Sequence, residues 1–213
     1  MSTSDTPKAA RPTPSAAEQR ASARIGAVLF RTRSWLPVPF LLLALLVPAH
    51  PTSSNWILGF ALIVPGELIR LAGVAAAGTV TRRRSRDVQR LVTYGIFRWV
   101  RNPLYVGNFL IWMGFVIISG VPWLVPLAIV VFAIEYYFIV AYEEGVLESI
   151  FGREYLEYKR TTPRWVPSSP RKRESGPHDW GEALKSEIST FLQYLALVIV
   201  FGAKQWFLNK PAP

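Results

Sequence analysis

The chain has 213 residues, of which 51% are hydrophobic, and its formal net charge is +10. It contains no cysteine, which excludes disulfide bonds, a cysteine metal site and a thiol nucleophile. The two histidines, His50 and His178, lie far apart, so we expect no metal site. The apolar residues fall in blocks with the basic residues between them, which is typical of a membrane protein. We therefore expect membrane lipids as partners and no nucleic acid.

Five apolar segments predict an all-α fold, a polytopic membrane bundle of about five transmembrane helices. The segments cover residues 35–49, 56–77, 103–119, 123–142 and 188–208. The first and third are shorter than the roughly 20 residues that a spanning helix needs. The predicted organisation is a disordered basic tail over 1–34, a membrane domain over 35–167, a basic cytoplasmic linker over 168–187 and a transmembrane helix over 188–213.

The distribution of lysine and arginine predicts the orientation of the chain in the membrane. Basic residues crowd the N-terminal region, the loop over 82–101 and the loop over 153–185. The turns near 50–55 and 119–122 carry no basic residue. Because cytoplasmic loops are enriched in lysine and arginine, we predict that the three basic regions are cytoplasmic. Lys204 and Lys210 would then lie outside, as a mild exception.

Charged residues also occur inside the apolar segments. Glu67 and Arg70 are three residues apart, which places them on one helical face. They could form a structural ion pair or line a polar cavity, since charges in lipid are costly. Glu135 lies eight residues before Glu143, on roughly the same face of its helix. It could line a cavity or form an interhelical hydrogen bond.

A motif at the start of the third segment carries most of the functional information. Arg101-Asn102-Pro103-Leu104-Tyr105-Val106-Gly107 opens this segment, and Glu143-Glu144 ends the next one. Phe151-Gly152-Arg153-Glu154-Tyr155 and Pro163-Arg164-Trp165-Val166-Pro167 follow. Each piece alone has an ordinary explanation, such as a basic loop beside the membrane or a solvated helix end. Their order and spacing together predict an enzyme site at one membrane face, where a polar cofactor meets a lipid-like substrate.

The segment from Leu91 to Gly107 resembles the signature of the isoprenylcysteine carboxyl methyltransferase family, which is similar to the phospholipid N-methyltransferases. The similarity covers roughly residues 82–167. It implies S-adenosyl-L-methionine as the methyl donor, bound on the cytoplasmic side of a bacterial-type inner membrane. It also implies a lipophilic small-molecule substrate. No Gly-x-Gly loop follows a strand, so a Rossmann methyltransferase fold is not expected.

The resemblance also implies roles for particular residues. The expected cofactor contacts are Gln89, Arg90, Leu91, Val92, Phe97, Arg101, Asn102, Pro103, Leu104, Tyr105 and Glu143. Tyr105, Glu135 and Glu144 are the catalytic candidates, because an amine acceptor would have to lose a proton.

Three positions depart from the family pattern. Phe97 stands where the family usually has tyrosine, and Asn102 stands where it usually has histidine. An amide can form hydrogen bonds but cannot shuttle a proton as imidazole does. Ile139 occupies the position of an arginine that holds the substrate carboxylate in the prenylcysteine enzymes. The loss of the histidine favours an acceptor that is already reactive, an isoprenoid-like carboxylate or a thiol or thioether. The alternatives are a phospholipid amine N-methyltransferase, or a non-catalytic transporter or subunit.

Overall fold

A computed structural model describes residues 16–33, 35, 37–78, 90–169 and 175–209. Within these ranges every regular element is helical, which confirms the predicted all-α class. The α-helices are α1 (Ala16–Thr32), α2 (Pro37–Leu46), α3 (Ser53–Ala77), α4 (Pro103–Ile118), α5 (Leu124–Phe151), α6 (Arg153–Thr161) and α7 (Trp180–Leu208). A short 3-10 helix, Gly95–Arg98, precedes α4.

Three of these helices, α3, α5 and α7, are long and apolar enough to cross a membrane. The end of α1 and the whole of α2 pass the same test as a pair, although they are bent by 53° at the break between them. The described residues therefore contain three spans, or four if the bent pair is one span. The predicted count of about five is not confirmed, because α4 has only 16 residues and is shorter than the usual span.

Helix ends follow from local chemistry. Thr52 caps α3 in a capping box, in which the Asn55 side chain accepts a 2.9 Å hydrogen bond from the Thr52 backbone N–H. Pro103 occupies the first turn of α4, where its missing N–H costs nothing. Asp179 caps α7 and accepts a 2.8 Å hydrogen bond from the Glu182 N–H.

Glycine allows α3 and α4 to lie in close contact. A Cβ atom on Gly66 would lie 2.9 Å from the carbonyl oxygen of Gly107, and one on Gly107 would lie 2.6 Å from that of Gly66. Gly59 and Gly114 meet in the same way, since a Cβ on Gly114 would lie 2.6 Å from the Gly59 oxygen. This small-residue interface is typical of membrane helices. It brings the side chains that follow each glycine, including Arg70 and Asn108, to one place.

Two regions differ from the expected organisation. Within the segment predicted to be a disordered tail, residues 16–32 form α1. Gly26 lies against α5, because a Cβ at this position would be 2.5 Å from the Phe138 oxygen. This packing against α5, which is far away in the sequence, stabilises α1, although the polar composition of the segment predicted disorder. Similarly, α7 begins at Trp180, inside the predicted linker, because Asp179 provides a cap there.

Candidate active site

A cavity of about 740 Å³ lies among α3, α4 and α5, with further walls from α2 and α7. Its size is within the usual range for small-molecule sites. Because α4 and α5 run antiparallel, the start of α4 meets the end of α5. Tyr105 contacts Glu143 at this end, and Trp112 lies against Phe132 farther along both helices, with 5.4 Å between ring centroids. We call these the Tyr105 end and the Trp112 end of the cavity.

The Tyr105 end contains a partly buried hydroxyl–carboxylate contact. The Tyr105 hydroxyl donates a 2.6 Å hydrogen bond to Glu143 Oε2. Its ring is buried and lies edge-on to Tyr136, with centroids 4.8 Å apart. Both Tyr105 and Glu143 line the cavity. The carboxylate is therefore held in a fixed position, where it can receive a cationic group of a ligand.

The loop before α4 is hydrogen-bonded to the Pro163-Arg164 segment that follows α6. The Arg101 backbone N–H donates a 2.9 Å hydrogen bond to the Pro163 oxygen. The Asn102 side-chain Nδ2 donates a 3.2 Å hydrogen bond to the Arg164 oxygen. These contacts hold Asn102, Pro103 and Leu104 along the cavity wall. The N-terminal end of α4, which carries partial positive charge, therefore borders the same space.

Glu144 has a different position from its neighbour Glu143. It is buried and accepts a 3.0 Å hydrogen bond from Arg164 Nε, and Arg101 Nη1 lies 3.3 Å from its Oε1. Glu144 is not among the residues that line the cavity. Two guanidinium groups occupy its carboxylate oxygens. The structure places Glu144 in an ion-pair cluster that anchors the Pro163-Arg164 turn, away from the cavity wall, and its catalytic role stays a prediction.

Two tyrosines of α6 complete the Tyr105 end. Tyr155 and Tyr158 are buried and line the cavity. The Tyr158 hydroxyl donates a 2.7 Å hydrogen bond to the Phe97 oxygen, which fixes the 3-10 helix beside the cavity. Burial raises the pKa of both tyrosines above the ordinary value, because the low-polarity surroundings disfavour a phenolate. Both hydroxyls therefore stay protonated at neutral pH.

Arg70 on α3 is the centre of a second polar cluster. Its Nε lies 3.2 Å from Glu67 Oε2, its Nη2 lies 3.1 Å from Glu187 Oε1, and its Nη1 contacts Asn108. The Tyr194 hydroxyl donates a 3.0 Å hydrogen bond to Glu67. Glu187 and Tyr194 belong to α7, so this cluster joins α7 to α3. Arg70 is thus paired with Glu67 and also lines the cavity, whereas Glu67 is not among the lining residues.

Glu135 lies toward the Trp112 end. It lines the cavity and only 4% of it is exposed. Neither of its carboxylate oxygens has a hydrogen-bond partner in the described part of the chain. Of the two alternatives for Glu135, the cavity-lining one is observed, and the interhelical hydrogen bond is absent among the described residues.

Ten of the predicted site residues line this one cavity: Leu91, Val92, Phe97, Arg101, Asn102, Pro103, Leu104, Tyr105, Glu135 and Glu143. Arg90 does not line it and instead donates a 2.8 Å hydrogen bond to the Tyr94 hydroxyl. Gln89 lies outside the described residues. The structure brings the predicted residues together, and their roles in binding or catalysis remain predictions.

Sequence reasoning missed several residues of the cavity wall. Asn108 and Tyr136 line it, as do Arg33 at the end of α1 and Tyr194 on α7. Asn108 carried a usable signal, because it is a polar residue inside an apolar helix directly after the motif. Tyr194 and Arg33 carried none, since they reach the cavity only through the tertiary fold.

Comparison with known proteins shows which protein families the chain is similar to. Residues 54–154 match the family model described as "Phospholipid methyltransferase". The resemblance predicted from the motif is confirmed. The chain is 34% identical over 122 residues to Protein-S-isoprenylcysteine O-methyltransferase B of Arabidopsis thaliana, covering 53% of this chain and 60% of the relative. It is 33% identical over 117 residues to the Homo sapiens and Mus musculus Protein-S-isoprenylcysteine O-methyltransferases, covering 51% of this chain and 40% of each relative.

The aligned part of the chain thus spans less than two thirds of these relatives. No solved structure matches the chain significantly. The region matched by the family model contains α3, α4 and α5, which form most of the cavity. Helix α7 lies beyond that region, yet it supplies Thr190, Gln193, Tyr194 and Leu197 to the cavity wall.

Proposed function

We propose that this chain is an integral membrane methyltransferase that uses S-adenosyl-L-methionine to methylate a lipophilic acceptor. One observation carries the proposal. The motif residues Asn102 to Tyr105 and the distant Glu143 meet at one end of a single cavity, within the region matched by the family model. The other end of the same cavity is walled by apolar side chains of helices that could span a membrane. A polar cofactor and a lipid can therefore meet there.

The residues present fit the charges of S-adenosyl-L-methionine. Glu143, held by Tyr105, suits the cationic ammonium of its methionine part. Arg101 suits the carboxylate, because its Nε is buried without a hydrogen-bond partner among the described residues. The N-terminal end of α4 also favours an anion. Leu91, Val92 and Phe97 border the same end of the cavity and offer apolar surface for the adenine ring.

When bound, the cofactor supplies an electrophilic methyl group on a positively charged sulfur. The chain contributes mainly by holding the two reactants in line and by excluding water, which alone lowers barriers substantially. We assign Glu143 to the ammonium rather than to the sulfonium. The positive charge on sulfur disappears during transfer, so a carboxylate against sulfur would stabilise the ground state more than the transition state.

The acceptor would enter from the membrane, and the cofactor would enter from the side that carries the basic loops, which we propose is the cytoplasm. This orientation places the Tyr105 end at the cytoplasmic face. Ile139 is fully buried at the position where the prenylcysteine enzymes are expected to carry an arginine for the substrate carboxylate. The isoprenoid-like acid predicted from the sequence therefore has no cationic partner at that position.

The test is equilibrium binding of radiolabelled S-adenosyl-L-methionine to the full chain in detergent. We expect saturable binding that is weakened about tenfold or more in Glu143→Gln, as for a lost charge-assisted hydrogen bond. Glu148→Gln is the matched control, because Glu148 is on the same helix and forms an exposed ion pair with Lys159. Absence of saturable binding by the wild-type chain would overturn the proposal and favour a transporter or subunit.

A further inference from the structure

Glu135 is a buried carboxylate whose hydrogen bonds are not made by the protein. It is 4% exposed, it lines the cavity, and both of its oxygens lack a partner among the described residues. An unsatisfied buried polar group is destabilising, and more so if it is charged. An ionisable residue inside a membrane helix is usually tied to function. A ligand group that satisfies Glu135 would recover this cost.

Two arginines of the cavity wall are paired with other carboxylates, and Arg33, which also lines the cavity, forms no ion pair with Glu135. Arg70 is held by Glu67, Glu187 and Asn108. Arg101 lies at the opposite end of the cavity, beside Glu144. No ion pair to Glu135 occurs in the part of the chain that the structure describes. Since no described residue donates a hydrogen bond to this carboxylate, we look for its partner on a bound molecule.

A second unsatisfied atom lies in the same cavity. Trp112 Nε1 is buried and has no hydrogen-bond partner among the described residues, and Trp112 lines the cavity. Phe132 packs on Trp112 and lies three residues before Glu135, on the same side of α5. The Trp112 end thus offers hydrogen-bond acceptors from a carboxylate and one donor from an indole, on an aromatic wall.

Glu135 lies away from the Tyr105 end of the cavity, along the axis of α5. Glu135 and Glu143 are eight residues apart on α5. At 1.5 Å per residue they are separated by about 12 Å along the helix axis. Glu143 is therefore on the side proposed for the cofactor, and Glu135 is on the side left for the acceptor.

Resting on the proposed function, we infer that Glu135 binds a hydrogen-bond-donating polar group of the lipophilic acceptor, an amine or a hydroxyl. A hydroxyl or a neutral amine can donate to Glu135 and accept from Trp112 Nε1, whereas an ammonium can only donate to Glu135. A carboxylate acceptor cannot donate to Glu135 and is repelled by its ionised form. The acceptor class therefore differs from the isoprenoid-like acid predicted from the sequence, and Glu135 is a specificity-determining residue.

The experiment uses three probes with one farnesyl tail and different heads: farnesylamine, farnesol and S-farnesylthioacetic acid. Their affinities for the full chain in detergent are obtained from the dependence of Tm on probe concentration, since a ligand raises Tm by mass action. The proteins compared are wild type, Glu135→Gln, Glu135→Leu and the control Glu148→Gln. The cofactor affinity of each protein is measured separately.

We expect wild type to bind the amine or the alcohol at least about tenfold more tightly than the acid. Glu135→Leu should lose this preference, and Glu148→Gln should keep it. An amine-binding site loses affinity in both Glu135 variants, whereas a hydroxyl-binding site keeps part of it in Glu135→Gln, because the amide oxygen still accepts. Cofactor affinity should stay within about twofold in all four proteins.

Equal binding of all three probes by wild type, tighter binding of the acid, or unchanged preference in Glu135→Gln and Glu135→Leu would each overturn the inference. The probes are tested without cofactor, so the result does not depend on cofactor binding. Failure of wild type to bind S-adenosyl-L-methionine would instead overturn the proposed function. Glu135→Gln preserves side-chain shape, so it provides the test if Glu135→Leu does not fold.

Discussion

The Tyr105 hydroxyl and Glu143 Oε2 are 2.6 Å apart, although 38 residues separate them in the chain. Tyr105 belongs to the first turn of α4, and Glu143 belongs to the C-terminal part of α5. Their hydrogen bond therefore fixes one end of the cavity by joining the two motifs that carry the family resemblance. The proposed role of Glu143 in binding the ammonium group depends on that contact.

Replacement of Tyr105 by phenylalanine should weaken cofactor binding. The variant leaves the ring in place but removes the donor that fixes Glu143. A hydrogen bond to a charged group contributes about 1.5–3 kcal/mol, so we expect a loss in affinity of roughly tenfold to a hundredfold. Isothermal titration with S-adenosyl-L-methionine measures it. Tyr137→Phe is the control, because Tyr137 lies on the exposed face of α5. Equal affinities of Tyr105→Phe and wild type would remove this contact from the site.

Replacement of Glu144 by glutamine should affect stability rather than chemistry. Glu144 is buried between Arg164 and Arg101, so its loss leaves two cations without their shared partner. Breaking a buried pair costs about 3–5 kcal/mol, and the partial exposure of Arg164 reduces this toward about 1–3 kcal/mol. We expect a lower Tm in detergent with retained cofactor affinity at low temperature. An unchanged Tm together with abolished methyl transfer would instead support the predicted catalytic role of Glu144.

The Arg164→Gln and Glu144→Gln changes should not be additive. Both remove members of the same cluster, so the double variant should lose less stability than the sum of the single variants. The shortfall should be about 0.5–3 kcal/mol, the usual range for residues in direct contact. Thermal unfolding of the four proteins gives this coupling energy. Strict additivity would show that the two side chains do not interact.

The glycine contact between α3 and α4 should tolerate no larger residue. In Gly66→Ala the new methyl group would lie 2.9 Å from the Gly107 oxygen, which is backbone and can move only with its helix. Overpacking of this kind costs about 1–3 kcal/mol. In Gly145→Ala nothing lies within 4 Å of the new atom, and the better helix propensity of alanine should add up to about 1 kcal/mol. Opposite Tm shifts are expected, and a neutral Gly66→Ala would contradict the close helix contact.

The contribution of Tyr158 to stability should depend on pH in the alkaline range. Burial raises the pKa of its hydroxyl in the folded chain, whereas the unfolded chain ionises near the ordinary value of about 10. Stability from the protonated group is therefore complete below about pH 10 and declines as the pH rises above it. We expect Tyr158→Phe to lower stability by about 1 kcal/mol at pH 8, through its lost bond to Phe97, and the deficit to shrink above pH 10. A deficit that is constant between pH 8 and 11 would contradict the shift.

Part of this protein could be predicted from the sequence because the information is local. Long apolar runs predicted α3 and α5, since only a helix satisfies its own backbone in a membrane. Pro103 marked the start of α4, because proline suits the first helical turn. Arg101 to Tyr105 and Glu143 predicted one site, and the structure places them around one cavity.

Only the tertiary structure shows that Glu143 lines the cavity and that Glu144 forms ion pairs outside it. Adjacent residues on a helix point about 100° apart, so Glu143 and Glu144 are not expected to face the same cavity. Arg164 determines which of the two faces away from the cavity, because it pairs with Glu144. Arg164 is 20 residues away in the sequence and reaches Glu144 only because α6 and the following turn fold back. The same reason applies to α1, whose order depends on Gly26 meeting Phe138. It applies equally to α7, whose place in the cavity wall depends on Glu187 reaching Arg70 across 117 residues. Apolar spacing and helix ends are local properties that sequence determines by itself, whereas the pairing of buried charges is decided by which side chains the fold brings within a few ångströms.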